Sequence, residues 1–169
     1  FMMGHPGKKL LFMGQEFGQL REWSEERELD WFLLEEDSHK QLQTFVKDLL
    51  HIYKKYPAMY EADTDWNNFE WINADDAYRS IFSFVRKSKN GKKNLLFVCN
   101  FTPVAREDYR VGVPMKKQYK LIFNSDEKKY GGSGETRPLT YRAVAQDCDN
   151  RPYSFAYPLS GYGVAIFEY

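Results

Sequence analysis

The most informative stretch of this chain reads Gly7-Lys8-Lys9-Leu10-Leu11-Phe12-Met13-Gly14-Gln15-Glu16-Phe17-Gly18-Gln19. Its four consecutive apolar residues, Leu10 to Met13, show no alternation, which is typical of a strand buried on both faces of a parallel sheet. A polar loop with glycines follows at once. In parallel α/β folds, ligands and catalytic groups collect in the loop after a strand's C-terminal end. We therefore expect a buried strand at Leu10–Met13 and functional residues directly after it.

One helix is predicted next, and no second strand–helix unit follows it. Ser38 with Gln41 three residues later fits a capping box, worth roughly 1 kcal/mol. The apolar positions then recur at helical spacing as far as Tyr53. The helix should end by Tyr56, because Pro57 disfavours the α conformation in the residue before it. A single strand, loop and helix look like the tail of a larger protein.

After Asp63 the pattern changes to short β runs separated by turn residues. Asn90-Gly91 predicts a hairpin turn between the second and third runs. The predicted strands are Phe69–Asn73, Arg79–Lys87, Asn94–Asn100, Tyr109–Val113, Tyr119–Asn124, Leu139–Ala145, Tyr153–Tyr157 and Val164–Tyr169. So many short strands without a second helix favour an antiparallel β-sandwich. The predicted fold class is therefore mainly β.

Composition excludes several classes of partner. The 24 basic and 24 acidic residues cancel, whereas nucleic-acid binding requires a basic excess. No apolar run is long enough to span a membrane, and no signal sequence is recognisable. Neither the two cysteines, Cys99 and Cys148, nor the histidines have metal-ligand spacing, so we expect no metal and no cofactor. These features suit a cytoplasmic protein.

An ordered series of motifs runs along the chain. Gly14–Gln19 is followed by Arg21-Glu22-Trp23 and by Leu29-Asp30-Trp31 with Leu33-Leu34. Further motifs are Tyr53–Tyr60, Phe69–Ile72, Asn100–Val104, Tyr109–Pro114, Asn124–Asp126 and Tyr130–Gly134. The series resembles 1,4-α-glucan (glycogen) branching enzymes of the α-amylase superfamily, from His5 to about Gly134. By this resemblance, the ordered series as a whole, with Glu22-Trp23 and Asp30-Trp31 in place, is specific to branching enzymes within that superfamily.

The resemblance implies two parts. Residues 1–62 would be the last strand, active-site loop and last helix of a (β/α)8 barrel, and residues 63–169 an all-β C-terminal domain that folds by itself. The parent would be a retaining glycosyltransferase that cleaves α-1,4-glucan and forms α-1,6 branches in glycogen. Its catalytic carboxylates would come from strands upstream of Phe1, so we assign no catalytic residue here. Glu16 lacks the partner that double displacement needs, and we expect it to hydrogen-bond neighbouring loops.

Two groups of residues are candidates for contact with an α-glucan. The first would form part of the active-site rim in the parent: Gln15, Glu16, Gln19, Arg21, Glu22 and Trp23. Trp23 either stacks against a glucose unit or, like Trp31, pins the loop to the barrel. The second group is a weaker acidic and aromatic patch: Trp71, Asp75, Asp76 and Tyr78.

Two rival interpretations stay open. One is a free-standing carbohydrate-binding β-sandwich, which has no reason to carry the Leu10–Met13 strand. The other is the C-terminal part of another superfamily hydrolase or debranching enzyme. In every case the four apolar residues Leu10, Leu11, Phe12 and Met13 should be covered. We expect them to pack against a second copy of the chain or against the helix.

Overall fold

Eight strands and one α-helix form the regular structure in the computed structural model, which describes residues 1–169. Helix α1 spans Asp37–Lys55. The strands are β1 Phe69–Asp76, β2 Ile81–Arg86, β3 Leu95–Asn100, β4 Arg106–Val113, β5 Gln118–Asn124, β6 Thr140–Arg142, β7 Tyr153–Leu159 and β8 Val164–Glu168. Each of the eight strands predicted after Asp63 is present, with ends that differ from the prediction by three residues or fewer.

All strand pairs are antiparallel. Six strands form one sheet in the order β1-β2-β3-β8-β5-β6, and β4 pairs with β7 in a second sheet. The prediction of a mainly antiparallel β fold is confirmed. The Asn90-Gly91 turn also lies where it was predicted, at the tip of the β2–β3 connection, with Gly91 at φ 68°.

The two sheets enclose an inner core. Alternate residues of β3, Leu96 and Val98, point into it and are fully buried. They meet Val111 of β4 and Tyr157 of β7, which come from the opposite sheet. All buried residues of this inner core lie between Ile72 and Phe167, so the sandwich is built entirely from the second part of the chain.

A second, outer core covers the other face of the large sheet. Leu95 and Phe97 of β3 point into it and pack with Met59 and Tyr56, which follow helix α1. Apolar residues of α1, among them Phe45, Leu49 and Tyr53, lie against the same cluster. The outer core therefore joins residues on both sides of the predicted division at residue 62, and that division stays a prediction.

Two polar contacts tie residues 1–62 to the sheet, and a third joins the sheet to Asp63, directly after them. The buried Arg86 donates to the Gly4 carbonyl at 2.7 Å and to Asp63 Oδ1 at 2.6 Å. Tyr56, at the end of α1, donates to Glu168 of β8 at 2.9 Å. Burial, together with this hydrogen bond, raises the pKa of Tyr56 to about 12.

The prediction of a strand at Leu10–Met13 is wrong. The segment pairs with no strand, and its side chains are 71%, 37%, 47% and 50% exposed. The ring of Phe12 touches that of Trp23 edge-on, with the ring centroids 5.6 Å apart. A strand requires neighbours that satisfy its backbone hydrogen bonds, and no strand of this chain pairs with the segment. The last strand of a barrel is therefore not shown.

The predicted capping box at Ser38 is also wrong. Helix α1 begins at Asp37, so Ser38 lies inside its first turn, and no side chain caps the helix. The other end agrees with the prediction, since α1 stops at Lys55 and Tyr56 adopts extended geometry before Pro57.

Candidate functional site

The loop after Met13 turns sharply between two glycines. Gly14 and Gly18 have φ of 86° and 72°, a left-handed conformation that favours glycine, and between them Gln15–Phe17 forms one 3-10 turn. Phe17 is fully buried and anchors this turn. Its carbonyl accepts a hydrogen bond from His39 of α1 at 2.7 Å, and Trp31 packs on its ring at 5.1 Å.

Polar side chains hold the rest of the loop in shape. Gln19 accepts from the Asp30 backbone N–H at 2.9 Å and donates to the Arg21 carbonyl at 3.1 Å. The guanidinium of Arg21 contacts both carboxylate oxygens of Asp30, with 2.8 Å between Nε and Oδ2. This hydrogen-bonded ion pair lowers the pKa of Asp30 and raises that of Arg21. The loop is therefore braced by its own residues.

The braced loop borders an open cleft of about 350 Å³. Its lining combines aromatic, aliphatic and polar groups: Phe12, Met13, Gln15, Gln19, Leu20, Arg21, Glu22 and Trp23. Trp23 keeps 38% of its surface exposed, so an aromatic face is accessible beside hydrogen-bonding groups. A ligand with an apolar face and many hydroxyl groups, such as a sugar, matches this lining.

The cleft contains one carboxylate, that of Glu22. Retaining glycoside transfer requires two carboxyl groups about 5–5.5 Å apart. Glu16 is half-buried on the 3-10 turn and does not line the cleft. The lining is therefore suited to holding a ligand and does not contain the pair of carboxylates that would cleave one.

The structure brings five of the six predicted rim residues together around this cleft. Sequence reasoning missed Phe12, Met13 and Leu20, which also line it. It placed Phe12 and Met13 in a buried strand because their apolar character was the only available signal.

The second predicted group, Trp71 with Asp75, Asp76 and Tyr78, is dispersed. Trp71 packs at the outer face of the large sheet, 5.0 Å from Phe69, whereas Tyr78 is 97% exposed in the β1–β2 turn. The carboxylate of Asp76 forms an ion pair with Arg79, with 2.6 Å between Oδ2 and Nε.

The structure instead exposes Trp66, 81% accessible beside Asp63 and Asp65. The signal for it in the sequence was a tryptophan among short polar residues at the start of the β region.

Side chains capable of binding metal do not converge. No group of three or more His, Cys, Asp or Glu residues is arranged to hold an ion. Both thiols are free, and burial raises the pKa of Cys99 to about 11. The single α-helix is too polar to be a membrane span.

Residues 71–169 match the family described as alpha amylase, C-terminal all-beta domain. The chain is 54% identical over 169 residues to the 1,4-alpha-glucan branching enzyme GlgB of Butyrivibrio fibrisolvens, a match that covers 100% of this chain and 26% of that protein. The corresponding protein of Halothermothrix orenii is 46% identical over 168 residues, covering 99% and 27%.

A third relative, from Aquifex aeolicus, is 53% identical over 134 residues, covering 79% of this chain and 21% of that protein. The chain thus spans about a quarter of the length of the relatives it matches. The matched region is the C-terminal part of these branching enzymes.

Proposed function

Because the chain belongs to the family of α-amylase C-terminal all-β domains, we propose that it is the C-terminal part of a 1,4-α-glucan branching enzyme. The parent would be a retaining glycosyltransferase of glycogen synthesis. It would cleave an α-1,4-glucan and transfer the released chain to form an α-1,6 branch. The observation that carries this proposal is the 54% identity to one such enzyme across the whole chain.

Within the parent, residues 1–62 would complete the catalytic barrel and residues 63–169 would form the C-terminal domain. The matched relatives extend through both parts, since one match covers 100% of this chain. A free-standing β-sandwich module would not need residues 1–62, so the length of the match favours the enzyme.

By itself the chain should have no branching activity, because its cleft contains one carboxylate and the reaction needs two. The N-terminal remainder of the parent is the partner that would supply the nucleophile and the acid. The rim residues would then accept a glucan, with Trp23 stacking on a glucosyl unit and Gln15, Glu22 and Arg21 offering hydrogen bonds. The parent should act in the cytoplasm.

A chimera tests the proposal directly. This chain would replace the C-terminal quarter of the Butyrivibrio fibrisolvens enzyme, and amylose branching would be followed by the falling absorbance of the iodine complex. We expect the chimera to branch amylose and the chain alone to leave the absorbance unchanged. The intact relative is the positive control.

Matched variants of the chimera test the rim. Trp23→Ala and Glu22→Gln should raise KM for amylose, whereas Tyr78→Ala, which changes an exposed residue outside the rim, should not. A folded chimera that binds amylose but does not branch it would contradict the proposed family role. A time-dependent loss of iodine absorbance with the chain alone would contradict the absence of a carboxylate pair.

A further inference from the structure

Trp66 is the most exposed of the four tryptophans, at 81% against 38–48% for the others. It opens the short 3-10 turn Trp66–Asn68, which precedes β1. Asp65 caps the N-terminal end of the turn. Its carboxylate accepts hydrogen bonds from the backbone N–H and the side-chain amide of Asn67, at 3.0 and 2.9 Å. The exposed ring is therefore held on an ordered turn.

Single exposed apolar side chains are common, so the surroundings of Trp66 decide its meaning. The ring forms one wall of a small cleft of about 100 Å³. The other walls are Pro6, Asp63, Thr64 and Asp65. This volume is well below the roughly 300–1,000 Å³ of an enclosed ligand pocket. A cleft of this size can accept one edge of a ligand's ring, while most of the ligand lies outside it on the protein surface.

Hydrogen-bond acceptors remain available beside the ring. Asp63 uses Oδ1 for Arg86, and Asp65 uses Oδ1 for Asn67. The second oxygen of each carboxylate has no protein donor, and neither has the hydroxyl of Thr64. These groups match the hydroxyl donors at the edge of a hexose whose C–H face lies on an indole.

We propose that Trp66, with Asp63, Thr64 and Asp65, is a surface site for one glucosyl unit of an α-1,4-glucan, separate from the rim cleft at Trp23. The choice of this ligand rests on the proposed function. Two carboxylates at the cleft disfavour phosphorylated ligands through like-charge repulsion. A cationic ligand fits less well for two reasons. Cation-binding sites usually surround the charge with several aromatic rings, whereas this cleft has one, and the charge of Asp63 is already paired with that of Arg86.

The test uses the full chain in native gels that contain glycogen or, in parallel, hydroxyethylcellulose, a β-linked glucan. We expect retardation by glycogen alone, about five- to tenfold weaker in Trp66→Ala, which removes one stacking face. Tyr78→Ala is the matched control, because Tyr78 is also exposed but is not part of the cleft, and it should behave as wild type. Trp66→Phe should retain part of the retardation. Both alanine variants remove exposed side chains, so circular dichroism should show unchanged folds.

The outcomes separate this inference from the proposed function. Equal retardation of wild type and Trp66→Ala in glycogen, or no retardation of either, overturns the site but leaves the chimera result untouched. A different outcome is retardation by hydroxyethylcellulose but not by glycogen, with the effect lost in Trp66→Ala. That result overturns the α-glucan assignment and also counts against the proposed function. Retardation that disappears in high salt overturns the sugar ligand in favour of an ionic one, because stacking of a neutral sugar is not screened.

Discussion

Two tetrapeptides of this chain are almost the same, Leu10-Leu11-Phe12-Met13 and Leu95-Leu96-Phe97-Val98, yet they have opposite structures. The second is the centre of β3, where no side chain is more than 2% exposed. The first is an irregular segment with exposures between 37% and 71%. The residues themselves cannot explain this difference.

The neighbours of the two segments explain it. Strand β3 is paired with β2 on one edge and with β8 on the other, so its backbone groups are satisfied. The inner core covers one of its faces and the outer core covers the other. Leu10–Met13 has no paired edge, and its residues remain 37–71% exposed. An apolar run therefore indicates that a segment is suited to burial between two layers, but it does not supply the layers.

The largest expected difference in stability is between two variants, Phe97→Ala in the buried tetrapeptide and Phe12→Ala in the exposed one. Phe97 is 2% exposed and stacks on Phe84 with ring centroids 4.7 Å apart. We expect Phe97→Ala to reduce the free energy of unfolding by about 3–5 kcal/mol. Phe12→Ala should cost less than about 1 kcal/mol, because Phe12 is 47% exposed. Urea unfolding followed by circular dichroism measures both, and similar losses would refute the comparison.

A second pair of variants tests the outer layer that covers β3. Met59 is fully buried in the outer core, whereas Met13 is 50% exposed. Met59→Ala should lower stability by about 2–3 kcal/mol, within the usual range for a buried methionine. Met13→Ala should leave it within about 0.5 kcal/mol of wild type. If Met59→Ala proves as mild as Met13→Ala, the segment after α1 is not an integral layer of the sheet's core.

A smaller, pH-dependent effect is expected where α1 meets the β region. Asp48 accepts from the Tyr130 hydroxyl at 2.8 Å and pairs with Lys129 at 3.0 Å, and these contacts hold its pKa below the usual value. Such a carboxyl stabilises the fold above its unfolded pKa of about 3.9 and loses that contribution as the pH falls through the folded value.

The matching variant is Asp48→Asn. It should reduce stability by no more than about 1 kcal/mol near neutral pH, since Lys129 is 49% exposed and the pair is screened. Below about pH 4 the difference from wild type should shrink, because wild type has then lost the contribution too. Unfolding in urea across this pH range measures it. A difference that grows in acid would contradict the lowered pKa.

The smallest change in stability is predicted for the exposed tetrapeptide itself. Leu11→Lys with Phe12→Lys should alter the unfolding free energy by less than about 0.5 kcal/mol. The same double variant should abolish any concentration-dependent association, because an uncovered apolar segment is a natural contact with a second copy. Sedimentation velocity of the two proteins decides this point. A monomeric wild type would remove self-association through Leu10–Met13.

Much of the β region could be predicted from the sequence. Its strands are short and separated by turn residues, and the pairs β1–β2, β2–β3 and β5–β6 join strands that are consecutive in the chain. For these pairs the local pattern is sufficient, whereas β3–β8, β5–β8 and β4–β7 join distant segments, and a local pattern does not identify such partners. The end of α1 was predictable for a similar reason, because the restriction from Pro57 acts on the adjacent residue.

The binding surfaces were less predictable. The rim residues from Gln15 to Trp23 are close in sequence, so one loop brings most of them together. Trp71 and Tyr78 are equally close but diverge, because Trp71 packs against Phe69 while Tyr78 occupies a turn. Trp66 was missed, since exposure depends on what the rest of the fold leaves uncovered.

The sequence by itself determined the mainly antiparallel β class, the positions of the strands and the likeness to branching enzymes. Those properties follow from periodicity, turn residues and ordered motifs, all of which are local. Only the tertiary structure decided which of two similar apolar runs is buried, and that α1 and the sheet share an outer core. Burial depends on contacts between residues distant in sequence, such as Arg86 with Gly4 and Tyr56 with Glu168, and a local pattern contains no record of them.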